Sequence, residues 1–164
     1  MVDTGGSDAF TPDELETWSA VATLLEWLPV ALDTQLQRDS DMSHFEFGIL
    51  FALSRAADQT LRMSTLAGFA NSTLSRLSRA VARLERREWV RRAPDPHDGR
   101  ITIAILTSAG RDAARTAAPG HVALVRKLVF DSLTRAQAEQ LGRSSLRIAQ
   151  AIRADEPWRP ESER

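Results

Sequence analysis

Residues 83–110 read RLERREWVRRAPDPHDGRITIAILTSAG and change local character three times. A basic helical pattern ends near Arg87, a turn rich in proline and glycine follows, and a β-branched segment covers 101–106. The pair Thr107-Ser108 then forms a typical helix start. A helix followed at once by a two-stranded ribbon with arginines at its tip is the arrangement of a winged helix. Such an arrangement suits the placement of cations against a nucleic-acid duplex.

The length and composition are those of a soluble globular protein. A chain of 164 residues fits one domain with helical extensions, and its 43% hydrophobic and 26% charged content is ordinary. No apolar run approaches the roughly 18 residues of a membrane span, and the acidic start lacks the basic-then-apolar form of a signal peptide. The absence of cysteine excludes a disulfide, a thiolate zinc site and a thiol redox switch. We expect a cytoplasmic protein that does not associate with membranes.

The net charge of −1 conceals a strong asymmetry along the chain. Residues 1–61 carry two arginines against eleven acids, whereas residues 62–100 carry nine arginines against four acids. The remaining residues, 101–164, carry ten cations against seven acids. Arginine concentrated on one part of a nearly neutral protein is typical of a phosphate-binding face, although a solvated helix surface gives the same count.

The hydrophobic periodicity predicts a mainly helical chain with two strands. Residues 1–10 have nothing to bury and are expected to be disordered, and 154–164 is expected to be a loose charged tail. A compact lobe over 39–106 lies between long helical regions at 11–38 and 107–153. The predicted elements are a helix from the cap Thr11-Pro12 to about Arg38, a helix capped by Ser43, a short helix after Met63, a helix over 72–87, strands at 89–93 and 101–106, a helix from Thr107 that ends or bends at Pro119-Gly120, and further helices to Arg153.

The helix over 72–87 has an apolar stripe and a basic face. Its apolar residues are three or four apart and are expected to face inward: Leu74, Leu77, Val81 and Leu84. Short hydroxyl side chains at a helix start can bond phosphates or base edges, and arginines one or two turns later can fork onto guanine or phosphate. This pattern predicts a recognition helix in the major groove, with an ordinary solvated surface helix as the alternative. The residues of this face are Ser72, Thr73, Ser75, Arg76, Arg79 and Arg83.

The hairpin adds a second set of basic residues. Asp98-Gly99-Arg100 forms the return of a tight loop, and Arg91 and Arg92 lie on the outgoing strand. An arginine at a narrow β-tip can enter the minor groove, and an acid two residues earlier can hold its guanidinium extended. We therefore expect Arg100, positioned by Asp98, to enter the minor groove. Arg91 and Arg92 are expected to neutralise phosphates.

Residues 66–111 contain a set of positions that together form a specific signal: Leu66-Ala67, Asn71, Ser75, Leu77-Ser78-Arg79, Arg83-Leu84-Glu85, Trp89-Val90, Asp98, Arg100 and Leu106-Thr107. At these positions the segment closely resembles the MarR (multiple-antibiotic-resistance regulator) family of winged-helix transcription factors. A weaker resemblance extends from roughly residue 12 to 153. It implies a homodimer whose N- and C-terminal helices interlock, so that each lobe recognises half of a pseudo-palindromic operator. Many members of the family have a small-molecule pocket between the dimer helices and the DNA lobe, and the resemblance implies such a pocket here.

One position departs from the family pattern. The family usually has glycine before the Trp89-Val90 pair, where the helix ends, and this chain has Glu88. Glycine there suits a left-handed helix end, a conformation that costs glutamate roughly 1 kcal/mol or more. Either the helix ends differently or some stability is lost.

Signals for a ligand are weaker. Trp18, Trp27 and His44 fall on the first two helices, where the resemblance places an effector pocket, although core packing or dimer contact explains each more simply. The three histidines lack metal-ligand spacing, and no nucleophile–base pair, carboxylate cluster or phosphate loop stands out. We expect no metal, no cofactor and no enzymatic activity.

Together these observations predict a mainly α-helical winged helix-turn-helix protein with a two-stranded β-wing and long N- and C-terminal dimerisation helices. The expected function is sequence-specific binding of double-stranded operator DNA as a homodimeric repressor released by a small-molecule ligand. A winged-helix dimer whose basic face contacts an acidic protein is the alternative. A small hydrolase is a third hypothesis that no residue cluster supports.

Overall fold

Six α-helices and a small antiparallel sheet form residues 9–152, the part of the chain that this computed structural model describes. The mainly helical winged fold expected from the sequence is confirmed. The disorder expected over 1–10 and the tail expected over 154–164 fall almost entirely outside the described part. The elements are α1 (Pro12–Ser40), α2 (His44–Arg55), β1 (Thr60–Arg62), α3 (Met63–Phe69), α4 (Leu74–Arg86), β2 (Val90–Pro94), β3 (Thr102–Leu106), α5 (Ser108–Val125) and α6 (Arg135–Ile152).

The first two helices begin where side chains satisfy the free amide groups of the first turn. The Thr11 hydroxyl accepts from the Glu14 amide at 3.3 Å, and the Glu14 carboxylate accepts from the Thr11 amide at 2.8 Å. Ser43 and Glu46 form the same reciprocal pair at the start of α2, at 3.1 and 2.9 Å. Both predicted caps are confirmed.

The wing belongs to a three-stranded sheet with the order β1-β3-β2. β2 and β3 pair antiparallel with Val90 opposite Leu106, so the expected hairpin is confirmed. The sheet differs from the expected two-stranded wing because β1 adds a third strand, with Leu61 opposite Ala104. A strand of three residues is too short to leave an alternating pattern in the sequence.

The core of the lobe lies between α2, α3, α4 and the sheet. Within α4 the buried positions are Leu77, Ala80, Val81 and Leu84. Leu74, expected in the same inward stripe, is instead 55% exposed, because the core extends along α4 only as far as Leu77. The start of α4 therefore projects beyond the packed part of the lobe.

Helix α5 continues through Pro119-Gly120, where the sequence predicted an end or a bend. A proline inside a helix removes one backbone hydrogen bond. Packing of α5 against α1 and α2, with Ala117 buried, accompanies its continuation to Val125. A wider π-helical turn over Arg126–Phe130 then leads toward α6.

The terminal helices contribute little to the core of the chain. Only Leu32, Gln35 and Leu36 of α1 are buried, and no residue of α6 is. Many of their apolar side chains are exposed instead. No helix in the described range is long and apolar enough to span a bilayer.

Candidate nucleic-acid interface

The turn between α3 and α4 determines where α4 begins. Asn71 has a left-handed backbone with φ of 43°, which asparagine tolerates better than most residues. The Thr73 hydroxyl accepts from the Arg76 amide at 3.2 Å, so Thr73 is the N-cap and Leu74 is the first helical residue. The helix therefore starts two residues later than expected, and Ser72 lies in the turn.

The first turn of α4 is open to solvent. Thr73, Ser75 and Arg76 are exposed, and Ser72 is half-buried. The Arg76 guanidinium lies 4.7 Å from the centre of the Phe45 ring. This cation–π contact orients the guanidinium without neutralising its charge. Hydroxyl groups and a cation thus surround the N-terminal end of the helix.

Arg79 and Arg83 have different surroundings. Arg79 is exposed, and its side chain has no hydrogen bond or ion pair with any residue in the range 9–152. Arg83 was expected beside it on the open basic face, but its Nε donates to Glu46 Oε1 at 2.7 Å and joins α4 to α2. Burial opposes ionisation of Glu46, yet hydrogen bonds from Ser43 and Arg83 outweigh burial and lower its pKa. Arg83 is therefore already paired within the lobe.

Arg100 lies at the tip of the wing, with a side chain that is 94% exposed. Asp98 Oδ1 accepts from the Arg100 amide at 3.1 Å and from its Nε at 3.3 Å. Asp95 braces the loop below the tip, because it accepts from the His97 amide at 2.9 Å and from Arg62 Nε at 3.3 Å. The wing thus presents one cation on a hydrogen-bonded loop, in the geometry expected for Asp98 and Arg100.

Arg91 and Arg92 are both exposed, but they cannot both contact DNA on the same face of the sheet. As neighbours on β2, they point to opposite faces of the strand. The side chain of Arg91 has no hydrogen bond or ion pair within the described residues. Arg92 donates to Glu85 and, from Nη1, to Ser78 Oγ at 3.2 Å, so its side chain lies against α4. The role expected for both arginines, phosphate neutralisation, therefore fits Arg91 better than Arg92.

Glu88 ends α4 in the left-handed conformation that the family resemblance anticipated, with φ of 58°. The Trp89 amide donates to the Leu84 carbonyl at 3.0 Å, and the Glu88 amide donates to the Glu85 carbonyl at 2.9 Å. This pair of bonds defines a Schellman motif, which glycine usually closes. Of the two possibilities left open at this position, the helix ends in the family manner and strain at Glu88 is the consequence.

The start of α5 lies directly over this helix end. The Thr107 hydroxyl donates to the Glu88 carbonyl at 2.7 Å and accepts from the Gly110 amide at 3.0 Å. A Cβ on Gly110 would overlap the Trp89 carbonyl oxygen. Only glycine fits there, so α5 is joined closely to the base of the wing.

The three residues proposed for a ligand do not form one site within the chain. Trp18 and Trp27 are exposed and nine residues apart on α1, which places them on opposite sides of the helix and about 14 Å apart along its axis. His44 is half-buried at the start of α2. Their role in ligand binding stays a prediction.

His44 instead stacks on His121 of α5, with ring centroids 5.5 Å apart. Phe47 packs against His121 at 4.8 Å. Burial lowers the pKa of both histidines; the charge of Asp33 partly offsets this for His44, and the charge of His44 adds to it for His121. This cluster connects the lobe to the long helices. The spacing of its residues in the sequence did not predict it.

Metal-binding chemistry has no support in the described residues. Within 9–152, no three histidine, aspartate or glutamate side chains are grouped as a metal site requires. The polar residues that converge in this lobe are arginines and hydroxyls, which suit phosphate and base edges.

A family model and two similar solved structures indicate one family. The model of the MarR family matches residues 40–101. A MarR family transcriptional regulator from Streptomyces coelicolor, crystallised in complex with DNA, is 42% identical over 93% of this chain and 95% of its own, with a TM-score of 0.87. AbsC, a MarR family transcriptional regulator from the same organism, is 31% identical over 90% of this chain and 99% of its own, with a TM-score of 0.84. The transcriptional regulator BldR from Sulfolobus solfataricus is 25% identical over 82% of this chain and 94% of its own, with a TM-score of 0.70.

A search of curated proteins finds no match. The solved structures nevertheless share both sequence and fold over almost the full length of each chain. This chain therefore belongs to the MarR family of transcriptional regulators.

Proposed function

We propose that this protein is a homodimer that binds a pseudo-palindromic operator in double-stranded DNA and represses transcription until a small-molecule ligand releases it. The observation that carries DNA binding is the open N-terminal end of α4, where Arg76 and Arg79 keep their charges free, beside the exposed Arg100 on the wing. The structure of the Streptomyces coelicolor regulator in complex with DNA supports this proposal.

Each basic residue has a distinct role in this proposal. Ser72, Thr73 and Ser75 approach the groove wall at the helix start, where the helix dipole favours phosphate. Arg76 and Arg79 contact guanine edges or phosphates in the major groove. The wing supplies a minor-groove contact from Arg100, held by Asp98, and phosphate contacts from Arg91. Arg92 acts mainly by holding the wing against α4.

Dimerisation is supported by apolar surface on the terminal helices that the single chain leaves uncovered. On α6 these exposed residues are Leu141, Leu146, Ile148 and Ile152. On α1 they are Leu15, Trp18, Leu24, Leu25, Trp27 and Val30. Apolar surface of this extent favours burial against a second copy of the chain. In the proposed dimer the two α4 helices lie about 34 Å apart, the length of one turn of DNA.

Control by a ligand is supported by unsatisfied polar atoms between α1 and α5. Gln35 Oε1 and His121 Nδ1 are buried and have no hydrogen-bond partner within 9–152. His44 stacks on His121 at the same junction. A polar ligand bound there would change the packing of α5 against α2 and hence the separation of the two lobes.

Binding to chromosomal DNA also accords with the cytoplasmic location expected from the sequence.

The decisive experiment is recovery of genomic DNA fragments bound to the purified protein, followed by anisotropy titration of the recovered motif and of the upstream region of its own gene. We expect a pseudo-palindrome, preference over a scrambled duplex, and a steep loss of affinity with salt. Arg100→Ala should weaken operator binding at least tenfold without changing the dimer. Arg135→Ala is the matched control, because Arg135 is equally exposed and also pairs with one acid, Glu139.

Equal affinity for operator and scrambled DNA would refute specific regulation. If the protein binds an acidic protein and shows no preference for operator over scrambled DNA, the result would favour the alternative role as a protein–protein interaction module. A monomer at micromolar concentration would refute the proposed mode of recognition. Addition of candidate small molecules to the formed complex, with release measured by the same titration, tests ligand control.

A further inference from the structure

An exposed leucine stands among the polar residues at the start of α4. Leu74 is 55% exposed, although leucine is among the residue types most often buried. Its neighbours Thr73, Ser75 and Arg76 are also exposed. The sequence spacing placed Leu74 in the core stripe, so its outward position, among the groups proposed to contact DNA, is a finding of the structure.

The position of Leu74 on the helix identifies the direction in which it faces. Leu74, Ser78 and Glu85 lie on one row, since residues four and seven apart share a face of a helix. Ser78 and Glu85 both accept hydrogen bonds from Arg92 on β2, so this row faces the wing. Leu74 continues the row to the N-terminal end of α4, beyond the hydrogen bond to Ser78.

The exposed apolar group therefore lies at the mouth of the groove between α4 and the wing, beside the cations. If α4 enters the major groove, as the proposed function requires, Leu74 is among the first side chains to meet base edges. The apolar group that base edges offer in the major groove is the C5 methyl of thymine. Hydroxyls and arginines cannot recognise that methyl by hydrogen bonding, whereas a leucine can bury it.

We propose that Leu74 is a specificity-determining residue that recognises a thymine C5 methyl in each half of the operator. This inference rests on the proposed DNA-binding function and adds the chemistry of one recognised base. The contact removes one methyl group from water per half-site, which corresponds to about a fourfold change in affinity.

The test uses the full-length protein and the operator recovered from genomic DNA. Each thymine of one half-site is replaced in turn by deoxyuridine, which removes only the methyl and keeps the pairing with adenine. Anisotropy titration is carried out with wild type, Leu74→Ala and Leu74→Met. Methionine preserves an apolar side chain of similar volume and is the conservative variant.

We expect one or two positions at which deoxyuridine weakens wild type by about fourfold per methyl removed. Leu74→Ala should be insensitive at those positions, and Leu74→Met should retain the sensitivity. Insensitivity of wild type to every replacement would overturn the inference, as would an unchanged profile in Leu74→Ala. The scan with wild type and with Leu74→Met does not depend on Leu74→Ala. If Leu74→Ala folds poorly, insensitivity of wild type to every replacement would still overturn the inference.

The proposed function and the role of Leu74 fail separately. Wild type that shows no preference for operator over scrambled duplex refutes the proposed function itself. Wild type that prefers the operator but ignores the thymine methyls refutes only the role of Leu74.

Discussion

Arg92 joins the wing to α4 through Glu85. Its Nη2 donates to Glu85 Oε2 at 2.6 Å and its Nε donates to the same oxygen at 2.9 Å. The Arg92 amide donates to Glu85 Oε1 at 2.8 Å, so both carboxylate oxygens are used. The side-chain hydrogen bond from Arg92 lowers the pKa of Glu85. Because α4 and the wing carry separate groups proposed to contact DNA, this pair fixes their relative position.

We predict that Arg92→Ala destabilises the protein by about 1–2 kcal/mol, since the charged, partly buried Glu85 carboxylate loses both side-chain donors and keeps only the backbone amide. Arg91→Ala, on the opposite face of the same strand, should change the unfolding free energy by less than about 0.5 kcal/mol. Urea denaturation at one fixed protomer concentration measures both effects.

The salt dependence of DNA binding distinguishes the two arginines further. Arg91→Ala should reduce the slope of log affinity against log salt by about 0.9 for each phosphate that the protein no longer neutralises, and Arg92→Ala should leave the slope nearly unchanged. A double-mutant cycle with Glu85→Ala and Arg92→Ala should give a coupling energy of about 1 kcal/mol. Additive effects would contradict the pairing.

Replacement of Glu88 by glycine should stabilise the protein. Glu88 is exposed, has a left-handed backbone and carries a Cβ that glycine lacks. We expect Glu88→Gly to raise the unfolding free energy by about 1 kcal/mol. Glu88→Ala is the control: it removes the carboxylate but keeps the Cβ, and should have little effect. If both variants stabilise equally, charge rather than backbone strain is responsible.

Gly110→Ala should have the opposite effect. The added methyl would lie against the Trp89 carbonyl, which is backbone and cannot move aside without shifting the start of α5. We expect a loss of about 1–3 kcal/mol, the usual cost of overpacking. Gly48→Ala in α2 is the matched control, because nothing lies within 4 Å of its added Cβ. A Gly110→Ala protein as stable as wild type would show that α5 adjusts at that point.

The features that the sequence predicted correctly depend on local interactions. The caps at Thr11, Ser43 and Thr107 are hydrogen bonds between residues three apart, so they can be recognised without knowledge of the fold. The wing follows from a turn rich in proline and glycine before a β-branched strand. At Glu88 the family resemblance marked a glycine position but left two alternatives open, and the structure has the left-handed one.

The features that the sequence did not reveal depend on contacts between distant elements. Arg83 meets Glu46 across 37 positions of the chain, and no local pattern signals that pairing. Leu74 has the spacing of a core residue, but the buried part of α4 begins one turn later, at Leu77. Periodicity carries no information on where along a helix the packing begins or ends. The stacking of His44 on His121 requires α2 and α5 to meet, which only the folded chain determines.

The histidine pair predicts a particular dependence of stability on pH. Burial lowers the pKa of His44 and of His121, so the folded protein holds both rings neutral at a pH where the unfolded chain, with a pKa of about 6.5, takes up protons. Stability should therefore be independent of these groups above about pH 7.5 and should fall as the pH drops through 6.5. Glu46 and Glu85 have lowered pKa values, and their contribution is lost at more acidic pH, as the pH falls from about 4.5, the ordinary value of the unfolded chain, toward the lowered values.

Urea denaturation between about pH 7.5 and 5 at constant protomer concentration measures this loss. His121→Gln removes one titrating ring, and also the charge that protonation would place beside His44, so its stability should fall less over this interval than that of wild type. His97→Gln, an exposed change in the wing loop, is the control and should follow the wild-type curve. If the unfolding free energy of His121→Gln falls with pH in parallel with that of wild type, the two histidines can take up protons in the folded protein. The contact between His44 and His121 then does not make the packing of the lobe against α5 depend on pH.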